Sequence, residues 1–371
     1  MTTLRWAARW TMWTPPVAVV VLAGVWGRDL STVAAVLVAV VLGAAVLAAV
    51  HHAEVVAHRV GEPYGSLLLA VAVTVIEVGL IVTLMVSGGK DTSTLARDTV
   101  FAAVMITCNG VVGLALLLGS LRFGLARFNA EGSGAALATV ATLATLSLVL
   151  PSVTSARPGP EFSGGQLVFA AVASLALYLA FVATQAGRHR DFFLPVGEAG
   201  RAEREDTGEG VDDTHADPPG DRQAWTSVGL LLASLLAVVG LAKVESPAIE
   251  DAVARAGAPQ SFVGVVIALL VLLPETLAAA RNARRDRVQT SLNLAYGSAM
   301  ASIGLTIPAI AVASIWLDGP LALGLGSTQI VLLALSVVVG VLTVVPGRAT
   351  RLHGAVHLVL LAAFLFLSVN P

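Results

Sequence analysis

What most limits this chain is a set of apolar runs that leave no polar face. Residues 16–26, 33–50 and 228–240 are apolar on every side of a helix, and such a helix is at home only in a large core or in a bilayer. Composition decides between them: 56% of the 371 residues are apolar and 12% are charged, against about 25% charged in soluble domains. Period-2 alternation is absent and Ala, Leu and Val dominate, so helices rather than barrel strands make the crossings. With Gly, Pro and charged residues as punctuation, eleven spans follow, near 11–27, 31–58, 66–87, 99–121, 134–151, 165–186, 225–243, 262–280, 290–315, 321–345 and 352–369. The fold class is an all-α polytopic membrane protein with about 11 transmembrane helices.

Arg5 and Arg9 precede the first apolar run without a small-residue cleavage site, so this run reads as a membrane helix rather than a signal peptide. Of the 22 Lys and Arg, sixteen fall in the loops on the side of the N-terminus and six on the other. That bias places the N-terminus in the cytoplasm and, with an odd number of spans, Pro371 outside, in a multi-pass protein of the cell membrane. A net charge of −2 with no basic block excludes nucleic acid as a partner, and the single Cys108 excludes disulfides and cysteine metal sites.

The one long hydrophilic segment, 187–223, holds nine carboxylates between Glu198 and Asp221. Rich in Gly and Pro and without apolar periodicity, it reads as an unstructured tether or a weak cytoplasmic cation reservoir dividing the chain into halves. The halves carry matching pieces. Gly65 precedes Glu77 by twelve residues, Gly264 precedes Glu275 by eleven, and each acid-bearing span leads through a charged loop into a helix of small and polar residues. Five spans separate the two glutamates, so the units run with opposite topology, the inverted-repeat plan of secondary transporters.

Glu77 is the twelfth of 22 residues in its span and Glu275 the fourteenth of 19. At such depth an unpaired ionised carboxylate costs several kcal/mol, so these residues are functional by default. Brought together, two carboxylates titrate as a coupled pair, and a hard cation such as sodium or calcium can replace their protons. Thr74 shares the face of Glu77, Pro274 frees a backbone carbonyl before Glu275, and Asn109, Asn293, Ser298 and Ser302 are supporting polar residues. At the cytoplasmic end of the second span stand His51, His52, Glu54 and His58, with His51, Glu54 and His58 on one face. This cluster reads as a water-exposed group, an entry or proton path, or a zinc site, although its spacing is not HExxH. The span itself, 28 residues or about 42 Å long, is expected to tilt strongly.

The stretches HHAEVVAHRVGEPYGSLLLAVAVTVIEVGLIVTLM (51–85), RHRDFFLP (188–195) and VLLPETLAAARNARRDRVQTSLNLAYGSAMASIGLTIPAIAV (271–312) resemble the ChaA-type calcium/sodium–proton antiporters of the calcium:cation antiporter superfamily. The resemblance covers about Val50 to Val345. It implies a leading helix (1–30) and two inverted five-helix repeats (31–186 and 224–371) joined by an acidic cytoplasmic linker (187–223), with the family's paired acidic residues at Glu77 and Glu275. Many superfamily members carry Gly-Asn shortly before the glutamate; here Thr74-Val75-Ile76 and Leu272-Leu273-Pro274 stand there instead. The expected activity is export of calcium and/or sodium, and potassium as a further candidate, in exchange for protons, without a cofactor. Two other readings make different predictions: an intramembrane metal-dependent hydrolase on His51, Glu54 and His58, and a cation channel.

Overall fold

The computed structural model describes residues 2–28, 30–61, 64–87, 92–187, 189–196, 220–316 and 319–370. They are overwhelmingly helical, since a backbone inside hydrocarbon has only itself with which to pair its N–H and C=O groups. The helices are α1 (Thr2–Val25), α2 (Thr32–Val60), α3 (Tyr64–Ser87), α4 (Leu95–Phe123), α5 (Ala130–Val153), α6 (Gly164–Ala186), α7 (Asp221–Arg255), α8 (Phe262–Val271), α9 (Leu273–Ala283), α10 (Val288–Gly304), α11 (Thr306–Ala313), α12 (Ser327–Val344) and α13 (Arg351–Val369). One two-residue ladder pairs β1 (Ala126–Arg127) antiparallel with β2 (Arg348–Ala349). Boundaries follow local chemistry. The Ser31 hydroxyl accepts from the Ala34 N–H to start α2, Ser163 and Gln166 cap α6 reciprocally, and Gly61 and Gly124 end α2 and α4 at positive φ.

Among the described residues nine helices are long and apolar enough to cross a membrane, or ten when the pair broken at Leu272 counts as one. The eleventh expected span is α1, whose apolar part, Trp10–Val25, is shorter than a full crossing. Two boundaries differ from expectation. The span expected at 225–243 belongs to the 35-residue α7, because Lys243, Glu245 and Glu250 end the apolar run without ending the helix, and Pro247 is accommodated inside it. The span expected at 321–345 starts at Ser327. Ahead of it, Ala322 bridges to Glu161, and the Gly324 and Leu325 N–H groups donate to the carbonyls of Pro160 and Leu148. The acidic linker lies, from 197 to 219, outside the described residues.

The chain packs as two compact units. The first comprises 1–99, 218–271 and 312–321, and the second 100–217, 272–311 and 322–371. In the first, α2, α3 and α7 close around Val46, Ala49, Ala53, Ile76, Leu80, Ala237, Val238 and Leu241. In the second, α4 is the innermost helix, 89% of its apolar window being buried. Phe101, Met105, Leu116, Leu143, Leu148, Tyr296 and Met300 fill the interior there. Helix α13 lies so close to α4 that a Cβ on Gly354 would stand 2.6 Å from the Leu117 nitrogen and 2.9 Å from the Gly113 carbonyl oxygen. Small residues permit this approach where lipid supplies no hydrophobic drive between helices.

Candidate functional site

Two helices of α4 and α5 carry a π-turn, at Ile106–Val111 and Thr145–Val149. A π-turn inserts one residue into the helical ladder, and such bulges concentrate at functional positions. Asn109 sits in the first of them.

In the first unit Glu77 lies in the unbroken middle of α3 and is 2% exposed, with Thr74 one turn earlier at 8%. No helix break or proline accompanies it. Gly79, half a turn on, abuts Val239 of α7 so closely that a Cβ would meet the valine methyl at 2.6 Å. Gly79 is two residues on and so marks the opposite side of α3, while Glu77 is buried on its own side. The histidines at the end of α2 separate into two roles. His52 is buried, its Nε2–H donating to the Thr11 carbonyl at 3.0 Å while Nδ1 stands 3.4 Å from the Ser227 hydroxyl. A carbonyl only accepts, so Nε2 carries the proton and Ser227 donates to Nδ1. His51 is half-buried and edge-on to His52, and Glu54 and His58 are exposed, one turn from the Arg59–Asp221 ion pair. Among the described residues no group of three or more His, Cys, Asp or Glu is placed to hold a metal. His51, Glu54 and His58 thus stand at the end of α2, the last two of them exposed.

In the second unit Glu275 is 9% exposed and sits in the first turn of α9. The span expected to be continuous is interrupted here. Leu272 is the N-cap of α9, Pro274 occupies its first turn, and the Thr276 N–H and hydroxyl both bond the Leu272 carbonyl, at 2.9 and 2.8 Å. Proline cannot donate to the preceding turn, so the helix ends and restarts, and Glu275 falls in the first turn of the new helix. Ser302 is 4% exposed and Ser298 half-buried, both on α10.

The two asparagines expected to support the site are engaged elsewhere. Asn109 Nδ2 donates to the Ser336 hydroxyl at 2.9 Å, and its Oδ1 lies 3.2 Å from His357 Nδ1. Asn293 Nδ2 donates to the Phe193 carbonyl at 2.6 Å, and its Oδ1 accepts from Gln289 at 2.8 Å. Each amide thus spends both donor and acceptor on packing within the second unit. Phe193 itself is buried against Phe181, ring edge to face at 5.5 Å, which anchors residues 189–195 at their aromatic end.

Further buried polar groups went unforeseen. Asp98 is 4% exposed and pairs with Arg97 at 2.8 Å, lining a small cavity with Thr94, Glu250, Gln260 and Ser261. Glu245 is 2% exposed. An acid at the edge of an apolar run reads as a loop residue, and that is the only sequence signal these positions give.

A comparison with protein families matches residues 30–187 and 226–370 to the sodium/calcium exchanger proteins. The chain belongs to this family, and it is accordingly a multi-pass cation antiporter and not an enzyme or a channel. It is 46% identical to the Sinorhizobium fredii protein named "Putative ionic transporter y4hA", over 89% of this chain and 87% of that one. It is 34% identical to the sodium-potassium/proton antiporter ChaA of Escherichia coli, over 94% and 93% respectively. Among solved structures, native YfkE matches with a TM-score of 0.69 at 15% identity, covering 96% of this chain and 98% of that one, a likeness of fold.

Proposed function

We propose that this antiporter exchanges protons for calcium and/or sodium, with potassium as a third candidate, through Glu77 and Glu275 as the groups that bind either proton or cation. The observation that carries the reading is the burial of two carboxylates within segments expected to cross the membrane, at 2% and 9% exposure. Lipid-facing chains do not keep such residues without a use for their charge. In support, a relative at 34% identity is named for sodium-potassium/proton antiport.

In this reading 31–186 and 224–371 are inverted repeats, each contributing one glutamate, and alternating access exposes the pair to one side at a time. The carboxylates take a cation from the cytoplasm, and protons arriving from outside displace it. Thr74, Ser298 and Ser302 supply neutral oxygens, while His51, Glu54 and His58 form the cytoplasmic approach. The N-terminus is cytoplasmic and Pro371 external, in the cell membrane. With two carboxylates, one divalent cation exchanges for two protons without net charge, whereas sodium exchange leaves one proton bound or moves charge.

The test is collapse of an imposed ΔpH in everted vesicles, with calcium, sodium and potassium supplied in turn to the wild type and to Glu77→Gln and Glu275→Gln. Cation-dependent collapse in the wild type, absent from both variants, supports the site. Exchange at wild-type rates in either variant removes that residue from it.

A further inference from the structure

His357 is 1% exposed on α13 and belongs to a chain of four buried polar side chains, all within the second unit. Its Nδ1 faces Asn109 Oδ1 at 3.2 Å and its Nε2 faces Thr343 Oγ1 at 3.1 Å. Asn109 continues to Ser336, whose hydroxyl donates to the Leu332 carbonyl at 2.8 Å. Thr343 also lies 2.8 Å from the Val339 carbonyl oxygen. Asn109, Thr343 and Ser336 are 0%, 2% and 4% exposed.

The hydrogen bonds constrain where protons sit. Asn109 Oδ1 only accepts, so Nδ1 carries a hydrogen in any state. Thr343 decides the rest. With the ring neutral, its O–H donates to Nε2; with the ring protonated, Nε2–H donates to Thr343 Oγ1 and the hydroxyl hydrogen turns to the Val339 carbonyl already within reach. Either way no buried donor or acceptor is stranded, so protonation carries the cost of burying the charge but no lost hydrogen bond.

We propose that His357 is a proton-binding site separate from the two glutamates, and that its occupancy is felt at Glu275 through the π-turn of α4. The π-turn packs against both α13 and α9. A proton on His357 adds a positive charge to the unit that carries Glu275, so acid weakens cation binding there by a second route. The other ionisable groups on the packed elements are few. Helix α12 brings none; α4 brings Cys108 near the ring, with the Arg97–Asp98 pair and Arg122 toward its ends. Strand β2 brings Arg348, α9 brings Glu275 and Arg281, and α13 itself brings Arg351 and His353, the latter bonded to Thr350. Tyr296 of α10 lies beside Cys108.

The proposal rests on the proton-exchange reading, and the experiment separates the two. Cation-driven proton flux is measured in proteoliposomes from acid to alkaline pH for the wild type, His357→Gln, Thr343→Val and Thr343→Ser. Thr343→Val is nearly isosteric and removes only the hydroxyl swivel. The expected result is retained maximal flux in all three, with the acid limb moved to lower pH by about one unit and made shallower in His357→Gln and Thr343→Val. Thr343→Ser keeps the wild-type profile. Wild-type profiles in the first two, or an equal shift in Thr343→Ser, overturn the proposal while leaving the glutamate site standing. If His357→Gln fails to insert, Thr343→Val against Thr343→Ser decides alone. A wild type without proton-linked flux removes the exchange reading and this proposal with it.

Discussion

Around Glu77 the helix runs unbroken from Tyr64 to Ser87, whereas around Glu275 it stops at Val271 and restarts at Leu273, with Pro274 in the new first turn. The same side chain in the two halves of the chain is presented by two kinds of backbone. In α3 every N–H near Glu77 is consumed by the helix, and only side chains such as Thr74 are left to help. In α9 the first-turn N–H groups have no helical acceptor and the dipole end favours negative charge, so the backbone itself is part of the surroundings of Glu275. A carboxylate in a continuous helix relies on its neighbours, while one in the first turn of a new helix sits at the positive end of its dipole.

Neutralising either acid is the largest test of this comparison. Glu77→Gln and Glu275→Gln are expected to insert normally and to bring exchange down to background, because an amide keeps the shape but neither titrates nor balances a cation. Purified yield and ΔpH-driven flux check both halves of that statement.

Next in size is the pH dependence. If protons and cation compete for the same oxygens, apparent cation affinity falls as pH drops, by about tenfold per unit for one displaced proton and about a hundredfold for two. Flux titrations from about pH 6 to 9 measure the slope, and a flat affinity would refute competition. Current recorded alongside distinguishes two protons per divalent cation from an uneven exchange.

Replacing Pro274 by Ala attacks the difference directly. Alanine restores a backbone donor and favours a helical interior by about 3 kcal/mol over proline. The variant is expected to gain thermal stability while losing turnover, as the restart at Leu272 heals into continuous helix. Higher melting temperature with unchanged flux would mean that the break has no part in transport.

Thr74→Val should have the smallest effect of the site substitutions: loss of one hydroxyl ligand weakens apparent affinity about fivefold, the equivalent of about 1 kcal/mol, with maximal flux retained. Equal effects of Thr74→Val and Thr74→Ser would assign the residue to packing. Deleting 198–219 and joining the ends with a flexible linker is expected to leave exchange intact, as this segment has no apolar surface with which to dock; complete loss of flux in a well-inserted protein would make the linker part of the machine.

How legible the molecule was depends on the range of the physics involved. Helix existence is local, and each of the expected spans contains helix, because apolar length and flanking charges act within one segment. Pro274 marks a freed carbonyl before Glu275 in the sequence, but not that the span expected over 262–280 breaks there. The fates of Asn109 and Asn293 were hidden, since their partners Ser336, His357 and Phe193 stand 100 to 248 residues away in sequence and only packing brings them near. The π-turn leaves no periodic mark in a helix apolar on nearly all sides. Glu245 was missed because the end of an apolar run was taken for the end of the helix, while α7 continues to Arg255.

The close contact between Gly354 and Gly113 also bears on the order in which the chain is made. Helix α13 is made well after α4, yet it supplies the surface that covers the glycine groove of α4 and one of the two partners of Asn109. Until α13 emerges, α4 waits in the bilayer with its amide short of that partner and its groove uncovered. The packing around α4 is therefore complete only once α13 has been made. A stalled or truncated chain lacking α13 presents quality-control proteases with a polar notch that the finished protein never shows.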